Sequence, residues 1–424
     1  MHLVYLHQHF TTPSGFSGTR SYESAKGLAE QGHQVTVICG SFESGNTGLN
    51  SKFINGKRSG YVDGFKVVEL DIPYGNNRGF TDRVSGFIKF VFKSILTLRK
   101  FNNIDLVYAT STPLTVAIPA LWVNIFSKVP YIFEVRDLWP ELPIAMGFIK
   151  NRILIAVLRK LEYLAYKRAV VCVALSPGMK EGIEKVCPGK TVVLIPNACD
   201  LELFRLASKS YKERLASLIS KDSDVSKSSL KVKFVFTGTL GTANDVISAV
   251  NALASLEQDI LDNISFDIIG NGVQKHAIKH AIISSGLDDV VKLLSPIPKI
   301  ELAERFADYD FAILTLQNIP EFQYGTSPNK FFDYISAGLP VIVNHPGWVA
   351  NMLSDANCGF SRQSACVDQL AAVFVKASNL SLKERLKMSN QATTLANAFD
   401  RRVLVNKQIS VCENAFLLHS MNTK

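Results

Sequence analysis

No stretch of about 18 uncharged apolar residues occurs in the chain, so the sequence offers no membrane-crossing helix. Cysteine is scarce and scattered: seven among 424 residues, with no CxxC pair. That spacing argues against a disulfide framework or a zinc site and suits reduced thiols in a cytosolic setting. The opening Met1-His2-Leu3-Val4-Tyr5-Leu6 has no basic region before it and no small-residue cleavage site after it, so it reads as a strand and not a signal peptide. No GxGxxG follows that strand, which disfavours a dinucleotide-dependent dehydrogenase.

What is present is the composition of a folded protein, 47% hydrophobic and 20% charged. The net charge of +9 suits nucleic acid, anionic lipid or a phosphorylated substrate without choosing between them. Nucleic acid is the least favoured, because the charges are not gathered with aromatics into a recognisable module. Short Val/Ile/Phe-rich runs alternate with helical patterns. One series lies at residues 3–6, 35–38, 106–109, 131–135 and 170–175; a second lies at 232–237, 265–269, 290–294, 311–314 and 340–343. Buried parallel strands read this way, and two series predict an α/β chain of two doubly wound parallel-sheet domains. The expected divisions are residues 1–200, residues 201–395, and a helical tail, 396–424, that packs back on the first domain. Residues 217–229 have a linker-like composition.

Four segments carry candidate chemistry. After the first strand, Gly15 and Gly18 lie just before a helix expected at about 19–31. Glycines at a helix N-terminus let backbone N–H groups approach phosphate or sugar oxygens, although a plain loop is an equally good reading. The run YIFEVRDLWPELP places Glu134, Arg136, Asp137 and Glu141 at a strand end, where open α/β sheets bind ligands. An internal Arg136–Glu pair anchored by Trp139 is the bland alternative; a role for Asp137 or Arg136 against the reacting group is favoured. In the second half, Gly238, Thr239 and Gly241 follow a strand, and Gly270 and Gly272 follow the next. His276 and His280, spaced i, i+4, read as a solvated helix face and not as metal ligands, because no third ligand accompanies them.

The most specific segment is EFQYGTSPNKFFDYISAGLPVIVN. It predicts a helix over 327–336 with Ser327 as N-cap, Pro328 at the first helical position and Gly338 as C-cap. Asn329 and Lys330 then sit where free N–H groups and an ammonium meet a diphosphate. Asp333, one turn on, can accept from a ribose diol. Basic aromatic stretches at 80–101 and 158–170 suit either an anionic membrane face or core-packed helices with a basic outer side. A DSDV at 222–225 looks like a metal-binding DxD but lies off any strand end, and no metal is expected.

These segments together resemble glycosyltransferase family 4. The match is carried by YLHQHFTTPSGFSGTRSYE, FEVRDLWPE, IPNACDLELF, FTGTLGTAN and YGTSPNKFFDYISAGLPVIV. The branch it looks most similar to is that of O-antigen and capsule enzymes, including N-acetyl-L-fucosamine transferases. The resemblance implies a GT-B fold, two Rossmann-like domains facing across a cleft. It further implies retaining, metal-independent transfer from a nucleotide diphosphate sugar, UDP-linked and of the N-acetylamino class. The acceptor would be a lipid-diphosphate-linked saccharide at the cytoplasmic face of the inner membrane, with no cofactor beyond the donor substrate. On this resemblance Asp137 and Arg136 are the catalytic candidates. Gly15, Gly18, Gly238, Thr239, Gly241, Gly270, Gly272, Ser327, Asn329, Lys330 and Asp333 hold donor nucleotide and phosphate; His9, Arg20 and Glu134 lie on the acceptor and sugar side.

The chain departs from the family pattern in three places. Gly325 stands where many members carry a first acid, with Glu321 four residues too early. Thr239 and Asn244, or nearby residues, replace a customary Arg and Lys, and Arg136-Asp137 replaces a His. A nucleotide-sugar epimerase of the same fold and a non-catalytic scaffold of a polysaccharide assembly machinery remain the rival readings.

Overall fold

The structure, a computed structural model, describes residues 1–16, 18–75, 78–221, 231–361 and 366–422. The DSDV at 222–225 and most of the linker-like stretch lie outside them. The chain forms two compact units. The first comprises Met1–Pro196, Tyr324–Ser327 and Arg402–Lys424; the second comprises Asn197–Gln323 and Pro328–Arg401.

The first unit opens with β1 (His2–Leu6), α1 (Arg20–Glu30) and β2 (Gln34–Phe42). A hairpin follows, β3 (Lys57–Val62) and β4 (Phe65–Tyr74), then α2 (Phe80–Leu98), β5 (Leu106–Thr110) and α3 (Ala117–Ser127). It continues through β6 (Tyr131–Val135), α4 (Glu141–Ala145), α5 (Arg152–Arg168), β7 (Val171–Ala174), α6 (Pro177–Val186) and β8 (Val192–Leu194). The sheet order is β3-β4-β2-β1-β5-β6-β7-β8, parallel except for β3. Tyr5 pairs with Val37 on one side and Tyr108 on the other. Strands β1, β5 and β6 are buried at every position, because helices cover both sheet faces. The hairpin was not expected from periodicity. It turns on Asp63 and Gly64, both at positive φ (45° and 88°), the geometry a two-residue hairpin demands.

The second unit runs α7 (Leu201–Lys221), β9 (Val232–Thr237), α8 (Val246–Ala254), α9 (Gln258–Leu261), β10 (Ile264–Ile269), α10 (Lys275–Ser284), β11 (Val291–Leu294) and α11 (Lys299–Arg305). Then come β12 (Phe311–Leu314), α12 (Pro320–Tyr324), α13 (Asn329–Ser336), β13 (Val341–Val343), α14 (Trp348–Ala356) and β14 (Gly359–Ser361). Helices α15 (Val367–Ser378), α16 (Leu382–Asn397) and α17 (Arg401–Asn422) close the chain. The six-stranded sheet, β11-β10-β9-β12-β13-β14, is wholly parallel. His276 and His280 stand exposed on α10.

Local chemistry fixes several boundaries. Asn151 caps α5 by accepting from the N–H groups of Ile153 and Leu154. Ser381 and Glu384 cap α16 reciprocally. The chain breaks at 398–400 before α17, which packs in the first unit. There Ser24 Oγ donates to Gln408 Oε1 at 2.6 Å, and a Cβ on Gly27 would lie 2.6 Å from Val405.

Candidate functional site

In each unit the chain reverses its direction across the sheet beside the first strand, between β1 and β5 in one and between β9 and β12 in the other. Such switch points open a crevice at the carboxyl ends of the strands. Polar residues gather at both.

At the end of β1, His7 and Gln8 are buried and His9 is partly buried. Arg136, just past β6, donates from Nη1 to His7 Nε2 at 3.0 Å. The proton of that imidazole therefore sits on Nδ1, which is buried and has no partner among the described residues. Both polar atoms of the Gln8 side chain, His9 Nε2 and Thr12 Oγ1 are likewise buried and unpartnered. Burial and then the Arg136 charge push the His9 imidazole down to about 3, so it is neutral at ordinary pH. The same causes, with His9 added, hold His7 neutral. Unpartnered buried polar atoms are rare enough that a cluster of them calls for a ligand. His7, Gln8 and Thr12 were missed in the sequence, although they flank the Gly15 loop.

Asp137 lies beside this cluster and accepts from Thr112 Oγ1 at 2.7 Å. Burial raises its carboxyl above the usual range, opposed by that hydrogen bond and by Arg136. Gly15 allows two backbones to meet: a Cβ there would sit 2.1 Å from Thr11 Oγ1 and 2.9 Å from the Asn46 nitrogen. Gly18 lies two residues before α1, whose N-cap residue, Thr19, makes no side-chain cap.

Arg20 and Glu134, expected on the acceptor side, are committed to each other. Glu134 is fully buried and accepts from Arg20 Nε at 2.9 Å, Tyr108 Oη at 2.8 Å and Thr110 Oγ1 at 2.8 Å. Burial alone would raise its carboxyl; Arg20, then Arg136 and the hydrogen bonds, bring it below the usual range. Arg20 also donates to the Ile195 and Pro196 carbonyls at 2.9 and 2.5 Å. With its four polar partners filled by the protein, this pair ties α1, β6 and the end of the first unit together.

In the second unit the candidate residues converge through α13. Phe331, Phe332, Tyr334 and Ile335 are buried, which turns Asn329, Lys330 and Asp333 outward. Tyr334 Oη accepts from the Thr237 N–H at 2.9 Å and so fixes the helix to the end of β9. Ser327 is not the N-cap and Pro328 is not the first helical residue. Pro328 takes the cap position without a side-chain cap, because its own backbone is extended (φ −71°, ψ 124°) and the helix begins only at Asn329.

Lys330 Nζ donates to Asn244 Oδ1 at 2.9 Å and lies 4.1 Å from the centre of the Phe236 ring. A Cβ on Gly238 (φ 128°) would come within 3.3 Å of it. Among the described residues no carboxylate pairs with Lys330, and loss of hydration pushes its ammonium down to about 7. Thr239 is exposed and its carbonyl accepts from Asn244 Nδ2 at 2.7 Å; Gly241 then opens a turn at Thr242–Asn244.

Gly270 and Gly272 hold this loop in place. Cβ atoms there would lie 1.9 Å from the Gly238 carbonyl oxygen and 2.4 Å from that of Leu240. Gly270→Ala should therefore cost about 1–3 kcal/mol by overpacking. Thermal unfolding checks this, and a variant as stable as the parent would refute the tight crossing.

Asp333 Oδ1 accepts from Lys299 Nζ at 2.8 Å. Lys299, 34 positions away, was not foreseen. The Glu321 Oε2, on α12, and the His345 Nε2, just past β13, are each buried without a partner among the described residues. Burial keeps the His345 imidazole below its ordinary value, against the Pro346 carbonyl that would raise it.

Residues 17–198 match the glycosyl transferase 4-like domain, and residues 220–395 match glycosyl transferases group 1. No curated protein matches the chain in sequence. Sucrose-phosphate synthase from Thermosynechococcus elongatus is similar in structure at 12% identity and TM-score 0.74, covering 98% of this chain and 99% of that one. HepE of Anabaena, in complex with UDP-glucose, is similar at 17% identity and TM-score 0.65, covering 98% and 100%. WaaG, a glycosyltransferase involved in lipopolysaccharide biosynthesis, has 16% identity and TM-score 0.65, covering 97% and 99%. At such identities the likeness is one of fold. The two domain matches and these neighbours make the chain a glycosyltransferase of the GT-B fold, with a glycosyl transferase 4-like domain followed by a group 1 domain.

Proposed function

We propose that the chain moves a sugar from a nucleoside diphosphate sugar to a lipid-diphosphate-linked saccharide, with retention and without a metal. The single observation that carries the donor reading is Lys330, a cation without a carboxylate partner among the described residues, held over the Gly238 turn. An ammonium stripped of water and left uncompensated is an anion site in waiting. As the glycosidic bond to phosphate breaks, negative charge builds on the leaving diphosphate. Preorganised donors aimed at that charge are usually the largest catalytic term. Lys330 and the N–H groups of Thr239 and Gly241 supply them here, those of Gly238 and Leu240 being donated to the Ile269 and Asn271 carbonyls, and Asp333 takes the ribose diol. The UDP complexes of HepE favour uridine as the base and the WaaG likeness favours a surface polysaccharide; an N-acetylamino sugar as the transferred group rests on the sequence resemblance alone. The work would be done at the cytoplasmic face of the inner membrane, with the donor as substrate and no cofactor.

A thermal-shift screen against UDP, GDP, dTDP, ADP and NAD tests this reading. A ligand at about 100 times its Kd stabilises by about 2.7 kcal/mol, an effect such a screen resolves. The expected result is selective stabilisation by one nucleoside diphosphate, lost in Asp333→Ala. A response to NAD alone, or to none, would overturn the donor assignment.

A further inference from the structure

We propose that a hollow beside the β3–β4 hairpin of the first unit is a subsite for an uncharged saccharide, the part of the acceptor that lies beyond the reacting sugar. The hollow has a volume of about 560 Å³ and opens where β2 and β4 end. Phe42, Asn46, Asn50, Phe53, Arg58 and Arg78 are among the residues that line it. Open α/β sheets bind their ligands outside the carboxyl ends of the strands, and small-molecule sites run from roughly 300 to 1,000 Å³.

The chemistry of the lining selects the ligand. Both arginines are already neutralised: Arg58 Nε donates to Glu69 Oε2 at 2.8 Å, and Arg78 Nη2 meets Glu43 Oε1 at 2.6 Å. A phosphate would have to displace an acid from its guanidinium, whereas Lys330 has no carboxylate competitor among the described residues. Paired guanidinium and carboxylate groups offer donors beside acceptors, which is what sugar hydroxyls, each both donor and acceptor, require. The exposed Asn50 amide adds both functions. Phe42 and Phe53 are half-buried, so part of each ring is open to the apolar face of a sugar ring. Arg58 lies 4.6 Å from the centre of the Phe53 ring and helps to hold it in place.

The walls are set before any ligand arrives, which spares the cost of ordering them on binding. In the loop after β2, the Asn46 N–H donates to Thr11 Oγ1 at 3.0 Å and the Asn46 carbonyl accepts from the Thr12 N–H at 2.7 Å. The Ser44 carbonyl accepts from the Phe16 N–H at 3.0 Å, and the Glu43 N–H donates to the Tyr74 carbonyl at 2.8 Å. The hollow is also continuous with the cluster at the end of β1. The His9 ring there lies 5.2 Å from the Phe42 ring and 4.3 Å from that of Tyr74. A saccharide with its reacting residue at the unpartnered atoms of Gln8 and His9 would thus place the next residue in the hollow.

The subsite deepens the saccharide-acceptor reading and rests on it. Saturation-transfer NMR of the full chain with maltose, lactose and N,N′-diacetylchitobiose, each at millimolar concentration, tests it. The expected result is saturation of at least one of the three, undiminished by pyrophosphate. Phe53→Ala should weaken that binding about tenfold. So should Glu43→Ala with Arg78→Ala, which removes an exposed ion pair, keeps the charge balance and carries the test if Phe53→Ala fails to fold. Tyr61→Ser, at an exposed side chain of the same hairpin outside the lining, should leave binding unchanged. No binding of any disaccharide would overturn the inference, as would displacement by pyrophosphate or an equal loss in Tyr61→Ser. The response of the parent chain to UDP is read by thermal shift alongside. Stabilisation by UDP with no disaccharide bound would sink the subsite alone. A disaccharide bound and lost in both lining variants, with no response to any nucleoside diphosphate, would support the subsite and strike the donor reading.

Discussion

Replacing Lys330 by methionine is expected to lower kcat/KM for the donor by about 100- to 1,000-fold while leaving the protein as stable as before or more so. The two effects have one cause. The ammonium is held against Phe236 and the Gly238 turn without a carboxylate partner among the described residues, so the free protein is strained by the charge that the donor would satisfy. Methionine keeps much of the packing and removes the charge. Sites that trade stability for function in this way are common where an anion must be bound. Donor kinetics together with thermal unfolding check the prediction; an inactive variant that is also much less stable would show a packing role instead.

The same lysine sets a pH dependence. With its pKa lowered from the ordinary 10.5 to about 7, Lys330 of the free protein loses its proton as pH rises through 7, whereas in the unfolded chain it stays charged to about 10. Two trends of opposite sign follow. Donor affinity should fall as pH rises above about 7, because binding must restore the proton. Stability of the free protein should rise over the same range, because the unfolded chain binds more protons than the folded one. Lys330→Met should flatten both.

The second large effect concerns Glu134. Glu134→Ala should destabilise the first unit by about 3–5 kcal/mol, since it leaves the Arg20 guanidinium buried without its partner. Arg20→Met combined with Glu134→Met should recover much of that loss, because the unpaired charge is gone. The Glu134 carboxyl is held below its usual range in the folded protein. Its stabilisation is thus present above the ordinary glutamate pKa and is lost as pH falls through the lowered value. Denaturant unfolding at neutral and acid pH checks both statements. If Glu134→Ala were fully stable but unable to use acceptor, the pair would belong to the sugar site after all.

The alternation of buried runs with helical patterns made ten of the strands legible, and with them the two parallel sheets. What escaped had specific causes. Strands β3 and β4 alternate weakly between faces, and the Asp63-Gly64 turn that joins them was the signal available. Strands β8 and β14 have three residues each, all only half-buried, and so lack the buried apolar run that made the equally short β13 readable. At the sites, residues close in sequence were readable and distant partners were not. The run holding Asn329, Lys330 and Asp333 could be placed on one helix, but Lys299 reaches Asp333 across 34 positions and Arg20 reaches Glu134 across 114. Glu134 attracted attention as a charged group at a strand end and Arg20 through the family resemblance; only their mutual burial shows what occupies them. His7 and Gln8 lay inside a quoted motif, yet their unpartnered atoms become evident only once β1 is buried on both faces.

The donor reading assigns the diphosphate of a nucleotide-linked sugar to Lys330 and the Gly238 turn. Calorimetric titration of the full chain with UDP and with UMP, at about pH 6.5 and about pH 9, tests it most directly. UDP should bind at least about tenfold more tightly than UMP at the lower pH and lose most of that advantage at the higher. Equal affinities for the two nucleotides, or a UDP preference indifferent to pH and to Lys330→Met, would contradict it.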